Sequence, residues 1–200
     1  MDIQPIFSTG IGKIKVLDYL EVARKIFAEN RQLFCDAQTN FRTTLKEYLQ
    51  NSNNTQTYAN VQDVNEIKEV IKKNTLDYLT GCGYETSKVT LSVPNFWLNE
   101  MEKKSFHNKH DHYGYSISGC YYVDVPKDSG KIYFFNPITG ETCKYLKIKK
   151  FTPMNSSNWN FLPEEGDMFF WKSTLSHEVP LVEFEGVRRS IAFDVLITGV

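Results

Sequence analysis

The sequence predicts an α+β fold in which helices pack on one β core of the sandwich or jelly-roll kind. Two observations lead there. The apolar pattern runs at helical spacing from about residue 16 to 81, then changes to short β segments from about residue 88. Those segments are numerous and divided by turn signals, as in antiparallel sandwiches and jelly rolls. At 200 residues the chain reads as a single domain, residues 1–200, large enough to bury a sizeable core. It shows no linker, internal repeat or low-complexity stretch.

In the helical part, Val16, Leu20, Ala23, Phe27 and Phe34 share one stripe, which Phe41, Leu45 and Tyr48 continue. The polar run Asn51 to Thr57 reads as a loop. A second helix is expected from near Asp63, with Ile67, Val70, Ile71, Leu76 and Leu79 facing the core. Gly81-Cys82-Gly83 ends it. The β segments are Val89 to Val93 (stopped by Pro94), Ile117 to Val123, Lys131 to Asn136, Cys143 to Ile148, Met168 to Trp171 and Ser190 to Ile197. Turns fall at Pro126 to Gly130, Asn136-Pro137 and Glu165-Gly166-Asp167, and Ile3 to Lys15 can add edge strands.

Composition removes several classes of function. The 23 basic and 24 acidic residues leave a net charge of −1, with no basic run interleaved with aromatics, so no nucleic-acid partner is expected. No apolar run approaches the ~20 residues of a membrane helix. Met1 to Pro5 lacks the basic start of a signal peptide, so a cytoplasmic protein is expected. Cys35, Cys82, Cys120 and Cys143 form no CxxC and read as reduced, mostly buried thiols.

The chemistry gathers around the histidines. The chain has four, and His107, His110 and His112 fall within six positions, with His177 far downstream. Side chains two apart on a strand share a face, so His110 and His112 project together while Asp111 points away. His177, just after the strand-like Met168 to Trp171, can bring a third imidazole. Imidazole suits iron, zinc, copper and nickel, and three ligands on one side leave positions open for catalysis. The ligand set stays open between three histidines, two histidines with Asp111 on a bulged strand, and two histidines with water. His107 has the opposite parity and reads as a rim or surface residue.

Eleven residues after His177 stands Arg188, with Ser190 on the same strand face and small Ala192 beyond. Arg189, Ile191 and Phe193 take the other face. A guanidinium and a hydroxyl together on an inner face would hold a carboxylate by charge-assisted hydrogen bonds. Tyr122 shares parity with Ser118 and Cys120 and is a further candidate contact.

These stretches resemble the iron(II)/2-oxoglutarate-dependent oxygenase superfamily, and within it the small oxygenases of phages and marine bacteria. Trp97-Leu98-Asn99 is similar to that group's W-x-N. His110-Asp111-His112, followed by Ser118-Gly119-Cys120-Tyr121-Tyr122, resembles its H-x-H…SGxYY. Gly130 to Phe134 with Asn136-Pro137 resembles its G-x-(ILV)-x-F…(DN)P. Glu165-Gly166-Asp167 followed by Trp171 to His177 resembles its EGD…FPSWLxH, with Lys172 where proline is usual. Arg188 to Phe193 resembles its R-x-S-I-(SA)-F, and Ile3 to Thr9 its opening strand.

The resemblance implies a double-stranded β-helix (jelly-roll, cupin-like) core with the N-terminal helices packed on one sheet. It implies Fe(II) on His110, His112 and His177, and 2-oxoglutarate on Arg188 and Ser190 with Tyr122 beside them. With O2, that set implies hydroxylation of a C–H bond with release of succinate and CO2, in a host cytoplasm if the chain is phage-encoded. The superfamily's usual pair is H-x-D or H-x-E, so His112 is a departure. A small-molecule or peptidyl substrate and a homodimer are both open. Trp97, Tyr113, Tyr115 and Trp171 are candidates for the substrate mouth. The rival readings are a cupin-like three-histidine metalloenzyme without 2-oxoglutarate and a non-catalytic jelly-roll binding module.

Overall fold

A computed structural model describes residues 8–30, 54–57, 64–138 and 146–199. In chain order the elements are β1 (Gly12–Lys15), α1 (Leu20–Glu29), β2 (Asn54–Thr57), α2 (Asn65–Gly81), β3 (Thr90–Met101) and β4 (His107–His110). Then come β5 (Ile117–Asp124), β6 (Ile132–Phe135), β7 (Asn158–Phe161), β8 (Asp167–Lys172), β9 (His177–Val179) and β10 (Arg188–Gly199). They form a six-stranded sheet in the order β1-β8-β5-β10-β3-β2 and a four-stranded sheet in the order β4-β9-β6-β7. Every pairing is antiparallel. This is the double-stranded β-helix architecture that the resemblance implied.

Alternation along the strands sorts the large sheet into two faces. One carries Phe96, Leu98, Tyr121, Val123, Met168, Phe170, Ile191, Phe193 and Val195. These join Leu20, Ala23, Ile26 and Phe27 of α1 and Ile67, Val70, Ile71 and Leu79 of α2 in one core. The helices need no side-chain N-cap, and neither has one; burying these stripes is what holds them. The other face, with Cys120, Tyr122, Phe169 and Trp171, packs on Ile132 and Phe134 of the small sheet. Central strand β5 is therefore covered on both sides, and Ile117 to Val123 are all buried.

Gly119 is fixed by this packing. A Cβ there would run into the Phe193 ring and come within 2.5 Å of the Phe169 carbonyl oxygen.

Several strands depart from expectation. Pro94 does not end its strand: β3 continues to Met101. The β3–β10 register slips between Asp194 and Leu196, beside Pro94, and β2 pairs with β3 only from Leu98 onward. A proline without an N–H is tolerated at such a bulge. Residues 54–57, expected in a loop, pair with β3 at the edge of the sheet. Leu146 to Ile148 are exposed and lie in no strand, which corrects the described part of the segment placed at Cys143 to Ile148; residues 143–145 lie outside the described residues. β7 was not expected: its Asn-Trp-Asn-Phe segment is short, and of its two aromatics Phe161 packs on the core while Trp159 is exposed. Val16 lies ahead of α1, its N–H donating to the Gly166 carbonyl at 2.7 Å.

Cys120 is a buried free thiol, whereas Cys82 is exposed just beyond the end of α2. Phe34, Phe41, Leu45, Tyr48, Cys35, Cys143 and the segment Ile3 to Phe7 lie outside the described residues. Among the described residues no helix is long and apolar enough to cross a membrane.

Candidate metal centre

His110 and His177 face each other across the pairing of β4 with β9. His112 comes from the turn beyond β4, where its N–H donates to the Ser173 carbonyl at 2.8 Å. The strand ends at His110, so the expected two-residue alternation does not place His112; that turn does. The result is the same convergence. One nitrogen from each ring lies within 4.8 Å of the others, and no other group of this kind occurs among the described residues. Asp111 is not part of it.

The tautomers follow from what each Nδ1 meets. His110 Nδ1 is 2.7 Å from the Asn108 carbonyl oxygen. His177 Nδ1 is 3.0 Å from the Leu175 carbonyl oxygen. His112 Nδ1 is 2.7 Å from Asp194 Oδ1. Carbonyl and carboxylate oxygens only accept, so each ring donates through Nδ1–H and keeps a lone pair on Nε2. His112 Nε2 is buried without a hydrogen-bond partner. A buried orphan acceptor of this kind is costly unless something electrophilic meets it.

Two of the rings are held neutral. Burial pushes the His177 imidazole down to about 3, with the neighbouring histidines adding to the shift. Burial also lowers His110. Neutral imidazole is the form that binds metal.

Two tryptophans wall the cluster. Trp97 stacks on His112 at 5.6 Å, and Trp171 meets His177 edge-on at 4.8 Å. Both are buried, so they form the wall of the site and not its mouth. Tyr113 is 78% exposed beside it, and Tyr115 is half-buried.

The two adjacent arginines part as their parity required. Arg189 points to the helix side and pairs with Glu100 at 2.8 Å and Asp124 at 3.0 Å. Arg188 points inward and is 2% exposed. It donates to the carbonyls of Ser129 at 2.9 Å and Gly130 at 3.3 Å, and to Met101 Sδ at 2.7 Å. Gly130, at φ 92°, makes the turn that aims these carbonyls. The guanidinium lies 5.6 Å from the Tyr122 ring centre. Among the described residues no carboxylate pairs with it, and its Nε is buried without a partner. A buried, uncompensated guanidinium is what an incoming carboxylate would satisfy.

Ser190 and Tyr122 oppose each other in the β5–β10 register. Both are within hydrogen-bonding contact of the buried Cys120 thiol. Burial holds the Tyr122 hydroxyl and the Cys120 thiol protonated, each raised above its ordinary pKa.

His107 narrows the sequence reading. It is half-buried, its ring 5.9 Å from His110. Burial, with His110, Arg188 and His112 adding to it, lowers its pKa to about 3. Of the rim and surface alternatives its half-burial favours the rim, near both the imidazole cluster and the arginine. Asp194, with its 2.7 Å contact to His112, belonged to no motif in the sequence reading.

A jelly roll with three converging imidazoles and, on its inner side, a buried guanidinium that meets no carboxylate among the described residues fits a class: metal-dependent proteins that also bind a carboxylate. The sequence comparison gives the family. The sequence model described as "Putative 2OG-Fe(II) oxygenase" matches residues 95–194, half the chain, and the chain belongs to that family. Fe(II) and 2-oxoglutarate are its metal and cosubstrate, and the orphan His112 Nε2 and Arg188 Nε are the kinds of atom they would meet.

A prolyl-4-hydroxylase from Pseudomonas putida is similar in fold at TM-score 0.60 and 14% identity, over 94% of this chain and 92% of that one. HygX from Streptomyces hygroscopicus, with nickel and 2-oxoglutarate bound, is similar at TM-score 0.57 and 12% identity, over 95% and 83%. SnoN, a non-heme α-ketoglutarate-dependent epimerase from nogalamycin biosynthesis, is similar at 0.56 and 16%, over 94% and 79%. At these identities the likeness is one of fold. No curated protein matches the sequence.

Proposed function

We propose that the chain is a 2-oxoglutarate-dependent hydroxylase. His110, His112 and His177 hold Fe(II) through Nε2, and Arg188, with Ser190 and Tyr122, holds the far carboxylate of 2-oxoglutarate. The observation that carries this reading is the occupation of all three Nδ1 atoms by oxygen acceptors, on three rings whose ligand nitrogens lie within 4.8 Å of one another. Bound Fe(II) with 2-oxoglutarate and O2 supplies the oxidising power for a substrate C–H bond, leaving succinate and CO2. The chain's own residues do the rest. The Arg188 fork turns a flexible diacid into an oriented one. Trp97 and Trp171 wall the inner side of the imidazole cluster, against His112 and His177. The Asn108 and Leu175 carbonyls keep two of the rings in their donor orientation.

The substrate in this proposal is a side chain of a peptide. Its support is the likeness to a prolyl-4-hydroxylase structure and the open approach beside Tyr113. The compartment is the cytoplasm, in keeping with the free thiols of Cys82 and Cys120.

An anaerobic titration with Fe(II) and then 2-oxoglutarate tests the site. A visible charge-transfer band that appears in the wild type and disappears in His177→Ala supports it. Metal binding without a band would hand the site to a three-histidine chemistry that does not use 2-oxoglutarate. Turnover under 18O2, followed by mass spectrometry of the product, separates hydroxylation from an epimerisation that incorporates no oxygen.

A further inference from the structure

We infer that Asp194 is the carboxylate of this metal site, set behind His112 instead of on the metal. It is a positioning residue that supplies through the imidazole the negative charge lacking in a three-histidine ligand set. The inference rests on the metal site proposed above.

Asp194 is 1% exposed, on the inner face of β10. In register it lies between Asn95 of β3 and Ser118 of β5. Asn95 Nδ2 donates to Oδ2 at 2.9 Å, and Ser118 Oγ donates to Oδ1 at 2.6 Å. His112 Nδ1 completes the set at Oδ1, 2.7 Å away. Ser173 Oγ, 2.8 Å from Ser118 Oγ, fixes the serine that grips the carboxylate. A hydroxyl has one proton, so the one Ser118 gives to Asp194 leaves Ser173 to donate to Ser118. The carboxylate is thus held from both neighbouring strands, and only His112 can pass its influence onward.

The charge around it is unusual. Among the described residues no lysine or arginine pairs with Asp194; the one ionisable partner is His112. Burying an anion with no cation near it costs several kcal/mol. A divalent ion on Nε2 of the same ring would offset that cost from the far side of the imidazole. The charges then match those of a two-histidine, one-carboxylate site. A divalent ion with three neutral imidazoles carries two positive charges; including Asp194 brings the cluster to one. A histidine whose N–H is held by a carboxylate is a stronger donor with a fixed ring plane. The departure at His112 and the acid at the end of Arg188 to Asp194 are therefore two parts of one arrangement.

The test is Asp194→Asn, which keeps the side chain's shape and removes its charge. Fe(II) or Co(II) affinity of the otherwise folded protein should fall by roughly 10–100-fold, the range for loss of a partner behind a ligating histidine. The charge-transfer band of the Fe(II)–2-oxoglutarate complex should move to higher energy, because a metal with a poorer donor is harder to oxidise. Unchanged affinity and an unmoved band in a folded variant would overturn the inference and leave the metal site standing. Failure of the wild type to bind metal would overturn both.

A second measurement needs no variant. In the Co(II)-loaded wild type, proton NMR should show three shifted imidazole N–H signals that vanish in D2O, one from each Nδ1, with the buried His112 proton slowest to exchange. Absence of the slowly exchanging His112 signal would overturn the inference.

Discussion

Replacing Arg188 separates a binding role from a structural one. Its guanidinium makes two hydrogen bonds to carbonyls, of Ser129 and Gly130, and one to Met101 Sδ, yet meets no carboxylate among the described residues. In Arg188→Met the folded protein loses partners for two carbonyls, at about 1–3 kcal/mol each if they stay buried and dry. It also sheds the several kcal/mol of burying an uncompensated cation, which opposes that loss. The net change in stability should therefore be small, about 0–2 kcal/mol. At roughly 2–4 °C per kcal/mol for a chain of this size, that is a melting shift of under about 8 °C.

The cost to cosubstrate binding has no such offset. Removing one partner of a buried, hydrogen-bonded ion pair costs about 3–5 kcal/mol. At about 1.4 kcal/mol per factor of ten, the 2-oxoglutarate requirement should rise by roughly 10²–10³-fold or more. Arg188→Lys keeps the charge but not the fork and should fall between the two. The assay is succinate release against 2-oxoglutarate concentration, with Fe(II) saturating, alongside thermal melts of the same preparations. A requirement within about threefold of wild type, together with a melting point down by more than about 10 °C, would refute the reasoning and make Arg188 a structural residue.

The metal-free protein should lose stability as the pH falls. His177 and His107 each titrate near 3 when folded, against an ordinary 6.5. Between those values the unfolded chain binds protons that the native chain does not. Their contribution is thus complete above about pH 6.5 and is lost towards pH 3. From about pH 7 to 5.5 the two should together remove roughly 2–3 kcal/mol, read from urea unfolding at constant ionic strength, and a flat profile would contradict the burial argument. Gly119→Ala should be destabilised by about 1–3 kcal/mol or more, because the Phe169 carbonyl is backbone and cannot yield as a side chain can. Its melting point should fall by about 2–12 °C, and an unchanged melt would mean that Phe193 repacks freely.

Strand parity made most of the site legible. It separated Arg188 and Ser190 from Arg189, and it set Tyr122 beside Cys120, because a two-residue period admits only two faces. It was less reliable where strands are short or end. His112 reaches the cluster from a turn, and His107 comes close to His110 despite its parity, with the β4–β9 register shifting between His107 and His110. The polar strand β2 gave no apolar signal, β7 is only four residues long with two aromatics, and β3 runs past a proline that a linear reading takes as a stop. Asp194 was within reach. It shares parity with Arg188, Ser190 and Ala192, and an acid on an inner face already holding polar groups is a visible anomaly.

If His112 and Asp194 are one arrangement, their substitutions should not add. His112→Asp restores the superfamily's usual H-x-D pattern on paper. In this chain it would set a second carboxylate near Asp194, which would then lose its His112 donor and keep only Asn95 and Ser118. Two carboxylates sharing a buried site disfavour ionisation of both, so the single variant should bind metal worse than wild type. Adding Asp194→Asn removes the repulsion. The substitution that weakens binding roughly 10–100-fold in the wild-type background should therefore strengthen it in the His112→Asp background. This reversal of sign, read from Co(II) affinities of the four proteins, is not expected if Asp194 merely fills space. An equal loss in both backgrounds would separate the two residues and leave the missing carboxylate of the site without a replacement.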